Sequence, residues 1–136
     1  MNEFVTYKSE ENYALITINN GKANAISPAV IDGLNLSLDK AAQENKVVVL
    51  TGQKGIFSGG FDLKVMTKSP ESAKELVTSG SKLSLRMLSY AKPIIIACSG
   101  HAIAKGAFLL LSADYRIGVK GDFKIGLNEV LIGMTM

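Results

Sequence analysis

FSGGFDLK (residues 57–64) follows the apolar run Val47, Val48, Val49 and Leu50, and its reading decides the fold. A strand that empties into two glycines, a bulky apolar residue and an acid has two interpretations. In a hairpin, Gly59 and Gly60 would serve only to reach positive φ. In a binding loop, they would bring backbone N–H groups against a ligand oxygen.

The 136 residues, 47% hydrophobic and 20% charged, suit one folded domain over residues 1–136 with a sizeable core. A net charge of only +3, spread along the chain, does not suit nucleic acid, and no Lys/Arg cluster is interleaved with aromatics. The lone Cys98 excludes an internal disulfide and fits a reducing compartment. The first residues carry acids and no apolar centre, so no secretory signal is expected. Apolar runs such as residues 108–111 are far short of a membrane span. A cytoplasmic location is expected.

Residues 4–8 and 13–19 alternate apolar and polar side chains around Glu10, Glu11 and Asn12, as two antiparallel strands of a hairpin would. Ser27 and Pro28 form a helix start, and Val30, Leu34, Leu38 and Ala41 lie on one face of a helix running to about Asn45. Residues 46–51 read as a strand buried on both faces. A second helix starts at Ser69, Pro70 and Glu71 and carries Leu76, Val77, Leu83, Met87 and Leu88. Lys92 and Pro93 break it before a buried strand at 94–98. A short apolar helix at 106–113 and a strand at 115–119 follow. Strands alternating with helices indicate an α/β fold with a largely parallel sheet. The run EVLIGMTM (residues 129–136) has no polar close and implies either that the sequence is a fragment or that this segment docks on a partner.

Neither GxGxxG nor GxxxxGK[ST] is present, so a nucleotide site is not indicated. SGHAIAKGAFLLL (residues 99–111) also runs from a buried strand into a helix whose first amides lack intrahelical partners. Two strand ends delivering free N–H groups to one oxygen would make an oxyanion hole; alternatively, Gly100 and Gly106 only permit turns and close packing. In IGLNEVLIG (residues 125–133) one carboxylate, Glu129, stands among Ile125, Leu127, Val130, Leu131 and Ile132. An acid in apolar surroundings holds its proton more tightly, which suits general acid/base work near neutrality; a surface glutamate between core residues is the alternative. Cys98 and His101 have Cys-x-x-His spacing without a second pair to complete a zinc site. Cys98 reads as a buried thiol and His101 as a loop residue. Ser58 has no histidine positioned by an acid. Lys22, Lys54, Lys64 and Lys92 read as solvated.

In order and at these separations, KANAIS (22–27), FSGGFDLK, GHAIAKGAF (100–108), SADYRIG (112–118) and IGLNEVLIG resemble the crotonase (enoyl-CoA hydratase/isomerase) superfamily. The resemblance implies an α/β fold with a ββα spiral core, the family's C-terminal helical part being absent. It implies a coenzyme A-contacting loop at Lys22, Ala23 and Ala25. Gly59 and Gly60 would form the first oxyanion loop, with the Phe61 amide as donor and Asp62 and Leu63 shaping the loop and lining the acyl pocket. The second donor would be the amide of Lys105, followed by Gly106. The family prefers glycine at position 105, so the lysine side chain must point away from the acyl group.

The resemblance also implies that the first of the two hydratase glutamates falls at Phe108 and the second at Glu129. A single glutamate with an apolar partner is similar to the Δ3,Δ2-enoyl-CoA isomerases, whose GLNE signature resembles residues 126–129. The expected activity is therefore isomerisation of an enoyl-CoA thioester. It needs no metal and no cofactor beyond the coenzyme A of the substrate, in a homotrimer or pair of trimers with neither nucleic acid nor membrane as partner. A hydratase or acyl-CoA hydrolase, or a non-catalytic acyl-CoA binder or truncated interaction fragment, are the competing readings.

Overall fold

Alternation in the first twenty residues becomes an antiparallel hairpin of β1 (Val5–Ser9) and β2 (Tyr13–Ile18), with Val5 opposite Ile18. The computed structural model describes residues 2–134. Ser27 caps α1 (Pro28–Gln43) as its hydroxyl accepts from the Val30 amide at 3.2 Å, and Pro28 occupies the first turn, where no donor is needed. Val30, Leu34, Leu38 and Ala41 are all buried. Gly33 lets this helix lie close on β1, since a Cβ there would come within 2.8 Å of the Val5 side chain.

The main sheet has the order β1-β2-β3-β5-β7, with β3 (Val47–Thr51), β5 (Ile94–Cys98) and β7 (Tyr115–Gly118) running parallel to β2. One face of this sheet presents Ile16, Val48, Leu50 and Ile94 to Leu34 and Leu38 of α1 and to Leu83 and Met87 of α3 (Pro70–Leu88). The expectation of strands buried on both faces is corrected here. Val47, Val49 and Ile95 are only half-buried, because both long helices pack on the same side and the described chain covers the other side in part.

A second, smaller sheet escaped the sequence reading. It contains β4 (Gly55–Ser58), β6 (Gly100–Ile103) and β8 (Ile125–Gly126), in the order β4-β6-β8 and all parallel. The chain thus runs from a main-sheet strand to a small-sheet strand and then to helical structure. β3 and β4 lead to α2 (Leu63–Met66) and α3; β5 and β6 lead to α4 (Lys105–Leu111); β7 and β8 lead to a 3-10 turn at Val130–Ile132. This repetition is the expected ββα spiral. It corrects two local readings: the glycines at 59 and 60 follow β4 rather than β3, and His101 lies in β6 rather than in a loop. Strands this short carry too little alternation to show in sequence.

Arg116 donates to the carbonyls of Leu110 and Ala113 at 2.9 and 2.8 Å and so closes α4. The Asp114 carboxylate accepts from the Ile94 amide at 2.7 Å, tying the start of β7 to β5. At the far end, Val130, Leu131 and Ile132 are 72%, 88% and 59% exposed, in line with the uncovered apolar run expected there; Thr135 and Met136 lie outside the described residues.

Gly100 pairs with Gly55 so closely that a Cβ at position 100 would fall 2.1 Å from the Gly55 backbone. Gly100→Ala is therefore expected to destabilise the chain by about 3 kcal/mol or more, since the clash is with backbone. Gly118→Ala, where a Cβ meets open space, should change the urea midpoint little. Equal midpoints for the two variants would show that the contact does not constrain the fold.

Candidate active site

The three parallel strands of the small sheet each end in a piece of one site. After β4 come Gly59, Gly60 and Phe61; after β6 come Ala104 and Lys105; after β8 come Leu127, Asn128 and Glu129. Parallel strands place their carboxyl ends on one edge, which is where open α/β sheets bind ligands.

The first two pieces touch. Gly60 has φ +104, and a Cβ there would lie 3.0 Å from the Ala104 Cβ and 3.4 Å from the Lys105 amide nitrogen. Only glycine satisfies both the backbone angle and the approach. On the other side of the loop, the Ile26 amide donates to the Gly60 carbonyl at 2.8 Å and the Asp62 amide donates to the Ile26 carbonyl at 3.0 Å. Those bonds flank Phe61, whose own N–H donates to no protein acceptor among the described residues. The Ser58 hydroxyl accepts from the Gly60 amide at 3.1 Å, so this buried serine holds the loop and is not a nucleophile.

Ala104 sits at φ 52 and ψ −118, a conformation that non-glycine residues rarely adopt. Strain of this kind persists only where surrounding structure enforces it, and it concentrates at functional sites. Here the Ala104 amide is fixed to the Gly126 carbonyl at 3.0 Å, and its own carbonyl accepts from Phe108 at 3.0 Å. The twist opens α4 with the Lys105 N–H at its first position, where no intrahelical acceptor exists. Gly106 packs against β4, since a Cβ there would meet the Ser58 carbonyl oxygen at 2.4 Å.

Glu129 reverses the pattern of its neighbours. It is 8% exposed, whereas Ile125, Leu127 and the three residues after it face outward. Its surroundings are therefore not the flanking apolar residues expected from sequence. The turn at 129–133, in which the Glu129 carbonyl accepts from Ile132 and Met134 at 3.1 and 2.8 Å, drives the acid inward and its neighbours out. Its Oε2 is buried and without a hydrogen-bond partner among the described residues.

These groups border a cleft of about 480 Å³. Phe61, Met66, Phe108 and Met134 give it apolar walls, Val77, Ser81, Ser84 and Leu85 come from one face of α3, and Lys105 and Glu129 bring the charges among the described residues. The α3 residues were not foreseen as site residues; their signal was the spacing 77, 81, 84 and 85, a second helical face beside the core stripe of Leu76, Leu83 and Met87. Leu63, expected in the pocket, is 67% exposed and does not line the cleft, while Asp62 caps α2 by accepting from Lys64 at 2.9 Å.

The loop at 22–25 lies on the outer side of the same strand end. The Gly59 amide donates to the Ala23 carbonyl at 2.8 Å, and the Ala25 carbonyl accepts from the Asn20 side chain at 2.8 Å. Asn24, another residue the sequence reading passed over, is fully buried at φ 46 and donates to the carbonyls of Ile18 and Phe57 at 3.0 and 2.8 Å. Lys22 is left exposed. Cys98 and His101 do not meet as ligands. Cys98 is buried with its thiol on the Gly100 carbonyl, and His101 accepts from the Lys124 amide at 3.0 Å with its ring edge-on to Phe123. No group of residues that could hold a metal ion occurs among the described residues.

The family model described as enoyl-CoA hydratase/isomerase matches residues 8–136. The chain belongs to the enoyl-CoA hydratase/isomerase family. A probable enoyl-CoA hydratase of Bacillus subtilis is 34% identical over 125 residues, which is 89% of this chain and 48% of that protein. A structure of an enoyl-CoA hydratase/isomerase family protein from Pseudomonas syringae superposes with TM-score 0.97 at 62% identity, covering 98% of this chain and 58% of that one. A Mycobacterium tuberculosis protein, called an enoyl-CoA isomerase in one structure and a probable enoyl-CoA hydratase in another, gives TM-scores of 0.92 and 0.93 at 43% and 42% identity, covering 99% and 98% of this chain and 59% and 57% of that one. The chain thus spans about half of the Bacillus relative and less than two thirds of each solved neighbour.

The Lys105 side chain leaves its backbone toward α3, where Nζ donates to the Gly80 carbonyl at 2.7 Å and the Ser84 hydroxyl at 2.6 Å. Burial lowers its ammonium pKa to about 8. Since the folded-state value lies below the unfolded one, the folded chain binds fewer protons between about 8 and 10.5, and stability from this group rises with pH across that window. The wild type should therefore gain stability relative to Lys105→Met as pH is raised through that range, measured as the difference of urea midpoints. A difference independent of pH would show that the buried amine is not perturbed by folding.

Proposed function

We propose that the cleft isomerises enoyl-CoA thioesters, moving a double bond from the 3 to the 2 position. The observation that carries this reading is the single carboxylate on its wall, the buried Glu129 with its orphaned Oε2; Phe108 borders the same cleft, at the position where the family resemblance would put the other hydratase glutamate. The Phe61 and Lys105 amides hold the thioester oxygen as it becomes an enolate. Glu129 takes a proton from C2 and returns it at C4, so no group is gained or lost and no water enters. Phe108 and the apolar wall exclude water, which protects the dienolate from side reactions. The coenzyme A moiety lies along Lys22, Ala23 and Ala25, and no separate cofactor is required. We extend the proposal to a cytoplasmic trimer or pair of trimers, for which exposed Ile117, Val119 and Leu131 supply apolar surface of the kind association covers.

Phe61→Pro removes the amide donor while leaving a residue in the loop. Losing one oxyanion donor costs roughly 2.7–4 kcal/mol of transition-state stabilisation, so turnover should fall at least about a hundredfold, whereas Phe61→Ala should mainly alter chain-length preference. Unchanged turnover in Phe61→Pro would remove Phe61 from the site.

Glu129→Gln keeps the shape and cannot accept the proton, so conversion of 3-enoyl- to 2-enoyl-CoA should cease. Phe108→Ala should be milder, and Phe108→Glu should introduce weak hydration of a 2-enoyl-CoA. Isomerisation and water addition are followed in parallel on the protein as its gene encodes it. Full isomerase activity in Glu129→Gln would sink the single-base mechanism, and robust hydration by the wild type would favour the hydratase reading instead.

A further inference from the structure

Lys105 is the one cationic group among the described residues of a largely apolar cleft that also holds Glu129, Ser81 and Ser84, and the isomerisation uses only its backbone. We propose that its ammonium selects the substrate: the cleft takes a short enoyl-CoA whose acyl chain ends in a carboxylate, which pairs with Lys105 Nζ beside Ser84 and Ser81. This rests on the acyl-CoA reading of the cleft and names the class of acyl group within it.

An ammonium has three donors. Two are used on neutral oxygens, the Gly80 carbonyl and the Ser84 hydroxyl, and beyond these the ammonium has among the described residues only the Phe61 ring, 5.7 Å away, so one donor remains without an oxygen acceptor. The residue is only 5% exposed, yet no acid lies within ion-pair distance among the described residues, where the ion pairs are Lys8–Glu10 and Arg86–Asp39. Glu129 borders the same cleft without pairing with it. A buried charge without a counter-ion is costly, and the depressed pKa, caused by desolvation alone, reflects that cost. A carboxylate delivered by the substrate supplies the missing partner and an acceptor for the unused donor. Ser81, one helical turn before Ser84 on the cleft face of α3, has a hydroxyl without a hydrogen bond among the described residues and adds a second donor. A methyl-ended chain would instead lay hydrocarbon against the ammonium and desolvate it further.

The geometry also sets the length. With bonds of about 1.5 Å, a lysine Nζ stands no more than about 7 Å from its own amide nitrogen. The same residue therefore offers its N–H to the thioester oxygen and its ammonium to a group only a few carbons along the chain. A six-carbon dicarboxylic acyl group spans that interval.

The test compares adipyl-CoA with hexanoyl-CoA, which have equal carbon number, by titration calorimetry at pH 7, with free coenzyme A as reference. The wild type should bind adipyl-CoA at least about tenfold more tightly, the scale of a charge-assisted contact in a desolvated site. The ratio should collapse toward one in Lys105→Met and shrink in Ser84→Ala. Equal affinities in the wild type, or tighter binding of hexanoyl-CoA, would overturn the carboxylate selection while leaving the acyl-CoA site intact. A preference that survives Lys105→Met would overturn the assignment to Lys105. If neither thioester binds more tightly than free coenzyme A, the acyl-CoA reading itself fails. The wild-type comparison decides between these outcomes even if a variant does not fold.

Discussion

The contact between the backbones of Gly55 and Gly100 governs the site. No side chain fits between these two strands at that point, so β4 and β6 are held in one register at their starts. The ladder then shifts by one residue between Ile56 and Ser58, so that Ser58 pairs with Ala102, and Gly60 arrives against Ala104 and Lys105. The second constraint follows from the first. β8 pairs with β6 through Ala102 and Ile103, so the segment carrying Glu129 is aligned by the same ladder. Three separate loops converge because the three strands end close to one line, Ser58 pairing with Ala102 and Gly126 with Ile103.

The candidate amide donors are also coupled through their side chains. A Cβ at Gly80 would meet the Phe61 ring at 2.5 Å, and the Gly80 carbonyl accepts from Lys105. The Lys105 ammonium stands 5.7 Å from the centre of the Phe61 ring, a distance at which the ring face attracts a cation weakly. One small residue on α3 thus lets Phe61 close on the helix while anchoring the lysine. Removing the lysine charge would loosen this corner as well as neutralise it, since stem packing and the two hydrogen bonds depend on the same side chain.

Most of the scaffold was legible because its signals are local. Ser27 with Pro28 and Ser69 with Pro70 mark helix starts by a cap and a ring that cannot donate, and both helices begin there. Pro93 immediately precedes β5, as expected, but α3 has already stopped at Leu88 with Ser89 as its C-cap, rather than being broken at Lys92 and Pro93. The small sheet was not legible, because strands of two to four residues show no period and their pairing is entirely non-local. The family resemblance brought forward Phe61, Lys105 and Glu129; the residue chemistry of 125–133 left open a buried acid or a surface glutamate between core residues, and the acid is buried while the apolar residues around it in sequence face out. Hydrophobic pattern is blind there because a turn, rather than a helix or strand period, decides which side chains turn inward.

Position 105 shows why a site built on backbone tolerates a side chain that seems incompatible with it. An N–H donor belongs to every residue except proline, so the identity of residue 105 matters only through where its side chain goes. The strained turn at Ala104 commits the Lys105 Cα to α4, and Gly80 with Ser84 gives the side chain a destination on α3. The amide remains available because the ammonium is occupied elsewhere. The same arrangement leaves a positive charge and, among the described residues, an unpaired Ser81 hydroxyl on the wall of the cleft. If that charge reads the far end of the acyl chain as proposed, one residue divides two tasks between its main chain and its side chain.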